Sequence, residues 1–267
     1  YLFIRRYLKP VQLMKNRIEA LEKGDMHSKI EIIGEDELAD LSFSMNKLIY
    51  DINILLENKH QLLLDVSHEL RSPMARIQFL IAMLPEHKNI SKLIEEMAFL
   101  EGMIENLLLS DRLSMPYSTL DMNKLQTSYI IQKIMELFPS IKRRININNS
   151  IPNEEIMVDE TKFIIAIRNL LDNAMKYSGD KAIELIIEKK DDVEFHVKDS
   201  GVGISDEDIN KIIEPFFQTN KSISTKGFGL GLTICKKIIE SHKGRLSIQS
   251  NLGVGSVFTL HLPAIKG

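Results

Sequence analysis

One apolar stripe constrains this chain more than any other feature. From Val11, apolar residues recur at Met14, Ile18 and Leu21. After an interruption holding Gly24 and Gly34, the same alternating three-and-four spacing runs through Leu38, Leu41, Met45, Leu48, Ile52 and Leu55. That spacing draws a narrow apolar line along a helix, the seam of a coiled coil. The seam passes Lys59 to Leu62 and Val66, after which the next core position is Leu70 rather than Glu69. Two successive four-residue steps make a stutter, which locally unwinds a coiled coil. This junction is expected to pass on rotation or a change of register.

Leu63, Val66, Leu70, Ile77, Ile81 and Leu84 form one stripe of the continuing helix. At about 100° per residue, His68 falls on roughly the opposite face from Val66, towards solvent. Pro85-Glu-His-Lys-Asn89 breaks the pattern, and Ile90 to Leu113 reads as a second apolar helix. Such a hairpin has too little core to stand alone, and pairing with a second copy gives a four-helix bundle. Ser114-Met-Pro116-Tyr-Ser118 reads as a hinge.

Beyond it, strands and helices mix. Arg144 to Ile147, Ile156 to Val158, Ala182 to Lys189 and Val193 to Lys198 read as strands, and Glu160 to Tyr177 as an amphipathic helix. Helices are expected over Asp206 to Ile213 and Leu230 to His242, with Arg245 to Ser250 and Ser256 to Leu262 as a closing hairpin. One sheet covered on one face by helices fits this order.

Composition sets bounds. A chain of 267 residues holds a compact domain plus an extended helical part. The net charge of −3 argues against a general nucleic-acid binder, which needs a concentrated basic face. Cys235 is the single cysteine, so no internal disulfide forms; its apolar helical run makes it a buried, inert thiol. No stretch reaches the roughly 20 apolar residues of a membrane span. Yet Tyr1-Leu-Phe-Ile4 followed by Arg5-Arg6 has the pattern of the cytoplasmic end of a membrane helix. The chain is therefore expected to follow directly on a transmembrane segment.

Two distant signatures carry the chemistry. The first is Asp65-Val66-Ser67-His68-Glu69-Leu70-Arg71-Ser72-Pro73. An exposed histidine with a neutral ring nitrogen is a nucleophile, and Glu69 beside it can hold the other ring nitrogen's proton as general base. A zinc-hydrolase site would require a second histidine four residues on, where Ser72 stands. Pro73 frees a carbonyl one turn back, giving the helix freedom to bend. His27, His60, His87, His196, His242 and His261 have no comparable setting and read as structural or solvated.

The second signature is Asn169-Leu-Leu-Asp-Asn173-Ala-Met-Lys176-Tyr177, with Asp199-Ser-Gly201-Val-Gly203 and Gly227-Phe-Gly229-Leu-Gly231-Leu232. Asn169 and Asn173 share one side of their helix. The last segment precedes a helix, whose free amides and positive dipole end suit phosphates. It is no P-loop, lacking Gly-Lys-Ser/Thr, and no dinucleotide fingerprint, with Leu232 at the third glycine position. Between Glu214-Pro-Phe-Phe217 and Gly227 lies a serine-rich and lysine-rich stretch suited to a mobile lid, with Phe216 and Phe217 packed at its base.

In order and spacing these motifs resemble the sensor histidine kinases of two-component signalling, over almost the whole chain. The resemblance implies a HAMP signal-relay module with the end of a transmembrane segment over residues 1–57, a dimerisation and phosphotransfer hairpin over 58–115, and an ATP-binding domain of the two-layer GHKL (Bergerat) fold over 116–267. It implies His68 as phosphoacceptor, Glu69 as its base, and Asn173 as the Mg²⁺ ligand supported by Asn169. Lys176 would contact phosphate, Tyr177 would line the adenine pocket, and Asp199 would accept from the adenine amino group beside Gly201, Gly203 and Ile204. Phe217, Lys221, Gly227, Gly229, Leu230, Gly231 and Leu232 complete the expected nucleotide contacts, with Lys226 an alternative to Lys221. Ser72 stands where the family usually carries Thr or Asn for phosphatase chemistry, and Phe228 where it carries a small residue.

ATP and Mg²⁺, a homodimer, a response-regulator receiver domain, a bacterial plasma-membrane anchor and no nucleic acid follow from the same resemblance. Two other classes stay open on sequence: a GHKL-type clamp ATPase and a degenerate kinase serving as a scaffold. The stimulus, the cognate regulator and the choice between phosphorylation within or across subunits are not written in these motifs.

Overall fold

The computed structural model describes residues 2–22, 25–84, 89–115, 120–138, 144–218 and 229–265, with only the backbone described for residues 2–8 and 22. The break at 85–88, most of the 114–118 hinge and the lid residues Lys221, Lys226, Gly227 and Phe228 lie outside the described residues. Two compact units make up the chain: Tyr1–Ile104 with Ser114–Ser118, and Glu105–Leu113 with Thr119–Gly267.

The first unit is helical. Helix α1 (Leu2–Glu22) contains Pro10, and α2 (Glu37–Ala82) runs unbroken for 46 residues. Asp36 caps α2, its carboxylate accepting from the Ala39 amide at 3.1 Å, which satisfies one of the free donors of the first turn. The connector lies along α2 through side chains that imitate backbone. Asn46 accepts from the Ile30 amide and donates to the Ile30 carbonyl, both at 2.9 Å, and Asn53 donates to the Met26 carbonyl at 2.9 Å. Met26 and Ile30 are thereby buried against the face that carries Ala39, Ser42 and Ile49. Asp25 binds the amides of His27 and Ser28 at 3.0 Å and the Ser28 hydroxyl, hydrogen bonds that hold its carboxyl down at about 2.

The boundary expected near residue 57 falls inside α2, so relay segment and phosphoacceptor segment are one rod. Helix α3 (Ile90–Leu113) packs on it through Met74, Ile81, Met97, Ile90 and Ile104, with Gln78 donating to Glu101 at 2.8 Å. Of the stripe expected on α2, Ile81 alone is buried within the chain. Along this part of α2 the buried positions are Ser67, Met74 and Ile81, seven residues apart, and α3 packs on the last two.

The second unit adds two elements beyond those expected above: β1 (Met122–Gln126) and α4 (Thr127–Glu136). There follow β2 (Ile145–Asn149), β3 (Glu155–Asp159), α5 (Glu160–Tyr177), β4 (Ile183–Lys189), β5 (Asp192–Asp199), α6 (Asp206–Ile209), α7 (Gly231–Ser241), β6 (Arg245–Asn251) and β7 (Gly255–Pro263). Helix α6 stops four residues short of the expected Ile213. Strands β1 and β3 pair antiparallel, and the main sheet has the order β2-β4-β5-β7-β6, parallel only between β2 and β4.

Strand alternation sends Ile183, Leu185 and Ile187 of β4, Val193, Phe195 and Val197 of β5, and Phe258, Leu260 and Leu262 of β7 to one face. There they meet Phe163, Ala166, Ile167, Leu170 and Leu171 of α5 and Ile234, Ile238 and Ile239 of α7. Phe163 meets Phe195 edge-on, ring centroids 5.1 Å apart. The Cys235 thiol is fully buried in this layer, donates to the Ala166 carbonyl at 3.2 Å, and is pushed far up by burial, as an inert thiol should be. Leu107, Leu109 and Leu113, from the last turns of α3, pack on the same core.

Candidate nucleotide site and phosphoacceptor helix

Helix α5 is held at its start by Asp159, which caps the Lys162 amide at 3.1 Å and pairs with the Lys162 ammonium. The buried ring of His242 ties that cap to the end of α7. Its Nε2 accepts from the Asp159 amide at 2.9 Å, so its Nδ1 carries the proton and donates to the Ile238 carbonyl at 2.7 Å. With the apolar side of α5 in the core, Asn169, Asn173, Lys176 and Tyr177 lie half-buried on its other flank.

The N-terminus of α7 comes directly against the two asparagines. A methyl group built on Gly231 would stand 3.8 Å from Asn169 Cγ and 3.9 Å from Asn173 Nδ2. Asn169 Nδ2 is buried with no hydrogen-bond partner among the described residues. A buried amide left in that state costs roughly 1–3 kcal/mol, so it is a donor aimed at an acceptor that the described residues do not supply. The free amides and dipole of α7 point into the same space, a setting that favours anionic oxygens.

The described residues that flank the segment expected as a lid meet beside this point. Phe216 donates its amide to the Gly229 carbonyl at 3.0 Å, closing the two ends of the segment together. Gly229 has φ +68°, and a side chain there would meet the Phe217 carbonyl at 2.6 Å, so both backbone angle and space demand glycine. Phe217 is half-buried at this anchor, as expected. Phe216 is not: its ring is 58% exposed and its φ of 64° turns it out of the layer.

At the far end, Asp199 closes β5 with a carboxylate that is only 7% exposed. It accepts from the Gly201 amide at 2.8 Å. Burial raises its pKa, against the opposing hydrogen bonds from Gly201 and Ser256. Gly201 passes so close to the Tyr177 carbonyl that an added methyl would sit 2.6 Å from it. Tyr177, Asp199 and Gly201 therefore form one corner, with the Lys176 ammonium 4.9 Å from the Tyr177 ring centre. Gly203 lies against the Asn251 backbone and Ile204 donates its amide to Ser250 Oγ at 2.8 Å, fixing the loop to the β6–β7 turn.

Leu230 and Leu232 occupy different surroundings. Leu232 and Ile204 are half-buried at the edge of the core, whereas Leu230 is 1% exposed inside it. What Leu230 offers a ligand is backbone, since its side chain is committed to packing.

In the first unit, His68 and Glu69 are both exposed on α2, and no hydrogen bond joins them among the described residues. Ser72, one turn on, accepts from Arg76 Nη1 at 2.7 Å, a partner the motif did not reveal. Pro73 stays within the helix and leaves the Glu69 carbonyl without its usual amide donor.

Comparison with known proteins agrees with this geometry. Residues 158–266 match the family of histidine kinase-, DNA gyrase B- and HSP90-like ATPases, and residues 2–49 match the HAMP domain family. The signal transduction histidine-protein kinase ArlS of Staphylococcus epidermidis is 26% identical over 100% of this chain and 62% of its own length. The sensor histidine kinase CpxA of Escherichia coli is 26% identical over 97% of this chain and 59% of its own. The chain thus spans less than two thirds of these relatives. A crystal structure of full-length ShkA in complex with AMPPNP aligns with a TM-score of 0.65 at 23% identity, covering 78% of this chain and 46% of that one, a likeness of fold. The chain thus carries a HAMP-family segment at its start and a domain of the histidine kinase-, DNA gyrase B- and HSP90-like ATPase family at its end, and along its length it is similar to sensor histidine kinases.

Proposed function

We propose that this chain is the kinase portion of a membrane-anchored sensor that phosphorylates itself on His68 with ATP and passes the group to an aspartate of a response regulator. The observation that carries the proposal is the orphaned, buried Asn169 Nδ2 beside Asn173 and the α7 N-terminus, with a recessed carboxylate, Asp199, at the far end. Donors at one end and a buried acceptor at the other suit a ligand with a phosphate tail and a base bearing an amino group. The AMPPNP complex of ShkA supports the same ligand class. Lys176 and Tyr177 fall to the phosphates and the base respectively, with Gly201, Gly203 and Ile204 along the base and Phe217, Gly229, Leu230, Gly231 and Leu232 along the lid side. Lys221 and Gly227 are assigned to the lid by the family pattern.

The residues present fit Mg²⁺ as well. Side-chain amides offer the oxygen ligands this hard ion takes, so Asn173 would hold it with Asn169 in support. When bound, the ion neutralises charge on the β- and γ-phosphates.

In the proposed transfer a ring nitrogen of His68 attacks the γ-phosphorus, the bond to the bridging oxygen breaks, ADP leaves, and Glu69 takes the proton from the other ring nitrogen. The receiver's aspartate oxygen then attacks the phosphorus, the nitrogen–phosphorus bond breaks, and Glu69 returns its proton so that the imidazole leaves as the neutral form. Ser72 serves the reverse signal, dephosphorylation of the receiver. Its oxygen accepts from Arg76, leaving its own proton to orient a water.

A homodimer, with residues 58–115 as the pairing hairpin between a relay over 1–57 and a catalytic domain over 116–267, is supported by the seam. Leu41, Leu48, Ile52, Leu55, Leu62, Val66, Leu70, Ile77 and Leu84 are 42 to 67% exposed within one chain. So continuous an apolar line calls for a cover, and a second copy supplies the matching one.

Incubation of the chain with γ-labelled ATP and Mg²⁺ tests the proposal. Label retained on the protein and then transferred to a receiver domain is expected. Free phosphate without labelled protein would mean a clamp ATPase, and neither product would mean a scaffold.

A further inference from the structure

The sheet face opposite α5 and α7 carries a polar cluster that the kinase chemistry does not use. Register brings Glu188 of β4, Glu194 of β5, His261 of β7 and Arg245 of β6 into one cross-strand row. His196 and Thr259 pair in the adjacent row. The groups converge on one nitrogen: His196 Nε2 lies 3.2 Å from Glu188 Oε1 and 3.2 Å from Glu194 Oε2. These three atoms all lie within 4.8 Å of one another. His196 Nδ1 is 2.9 Å from Thr259 Oγ1, which fixes the ring plane from behind.

We propose that Glu188, Glu194 and His196 form a binding site for a transition-metal dication of the Zn²⁺ class, on the face of the ATPase sheet remote from the nucleotide. Zinc bonds of about 2.0–2.1 Å at tetrahedral angles put ligand atoms roughly 3.3 Å apart. The two imidazole–carboxylate separations already have that value, so binding requires the two carboxylates to close on each other and little else. One borderline nitrogen and two hard oxygens are a donor set that Zn²⁺ accepts and Ca²⁺ or Mg²⁺ does not prefer. The tautomer in which Nδ1–H donates to Thr259 Oγ1 is the one that gives Nε2 to a metal in place of a proton, and the hydroxyl would then play the orienting part that a metal-bound histidine needs.

The charge balance also invites a cation. Glu194 is buried to 10% side-chain exposure, and the ion that now compensates it is Lys190, tethered in the β4–β5 turn, 3.1 Å from Glu194 and 2.7 Å from Glu188. Lys190 is 61% exposed, so it can swing into solvent at little cost and leave both carboxylates to the metal. The second histidine, His261, stands 3.1 Å from Glu194 Oε1 and holds that carboxylate from the opposite side. Solvent takes the fourth position.

The test is calorimetric titration of Zn²⁺ into the metal-free chain, with Co²⁺ absorption as the spectroscopic check. One ion per chain is expected, with ligand-field bands of a four-coordinate site. His196→Gln and, at the more exposed position, Glu188→Gln should each weaken binding at least tenfold while leaving metal-free thermal unfolding in place. Lys190→Met should tighten it, by removing the tethered competitor. Absence of saturable binding, affinity equal to wild type in either ligand variant, or no effect of Lys190→Met would overturn the assignment.

Discussion

Replacing Gly231 with alanine separates two functions of the α7 N-terminus. The new methyl would stand 3.8 to 3.9 Å from Asn169 and Asn173, ordinary contact distances, and Gly231 has no left-handed φ to lose. Alanine also favours a helix over glycine by roughly 1 kcal/mol, so the fold should be as stable as before or slightly more so. The same methyl fills the gap that a phosphate needs to reach the α7 amides and the orphaned Asn169 Nδ2. Losing one hydrogen bond to a charged group costs about 1.5–3 kcal/mol, which is roughly ten- to hundredfold in affinity.

The contrast is Gly229→Ala. There the left-handed φ alone costs about 1–2 kcal/mol, and the methyl would meet the Phe217 carbonyl at 2.6 Å, about 0.8 Å inside the 3.4 Å where ordinary contact begins. That variant should lose stability at the lid anchor together with binding. Thermal unfolding and calorimetry with a non-hydrolysable ATP analogue and Mg²⁺ read both quantities. Unchanged nucleotide affinity in Gly231→Ala, or destabilisation equal to that of Gly229→Ala, would refute the placement of phosphates at this helix end.

Three further outcomes follow from the geometry. Ser72→Ala should slow dephosphorylation of the receiver while autophosphorylation continues, measured in paired assays; equal loss of both would make Ser72 structural. His242 is held neutral, first by burial, with the Lys162 charge adding to it and the Ile238 carbonyl and Asp159 opposing. Its folded pKa is below the unfolded value of roughly 6.5, so the unfolded chain binds the extra proton. The contribution is therefore full above that value and is lost as pH falls through and below it. Thermal unfolding followed from about pH 7.5 to 5.5 should slope more steeply in wild type than in His242→Gln, and equal slopes would contradict the strut. Insertions or deletions between Leu55 and Leu63 turn one end of α2 against the other by about 100° per residue. Kinase output should then switch in steps, against a smooth response if the rod carries no register.

Where side chains obey a local rule, the sequence was transparent. Helix α5 begins and ends where Asp159 and Tyr177 mark it, and the β6–β7 hairpin follows from alternation through Leu246, Ile248, Phe258 and Leu260. Strand β1 escaped because Met-Asn-Lys-Leu-Gln has no alternation to find; it is an exposed strand of a two-stranded sheet. The spacing of Ile130 and Ile134, both fully buried, could have revealed α4. In the relay, polar residues sit on the packed face: buried Ser42 bonds back to the Leu38 carbonyl and half-buried Asn46 stands in for backbone along the connector, so an apolar count looked past the face that packs.

The nucleotide site was legible as a set of motifs, but its internal division was not. Leu230 belongs to the core and Phe216 to solvent, and tertiary packing rather than motif position decides that. The Arg76 bond to Ser72 had a signal in the i, i+4 spacing. The Glu188, Glu194 and His196 cluster had none, since strand register brings it together.

The most direct test of the central claim compares wild type with His68→Gln after incubation with γ-labelled ATP and Mg²⁺. The account predicts protein-bound label that is acid-labile and alkali-stable in the wild type and absent from the variant, whose nucleotide affinity should be unchanged because His68 is not among the residues assigned to the nucleotide. Label of the same chemical stability persisting in His68→Gln would contradict it.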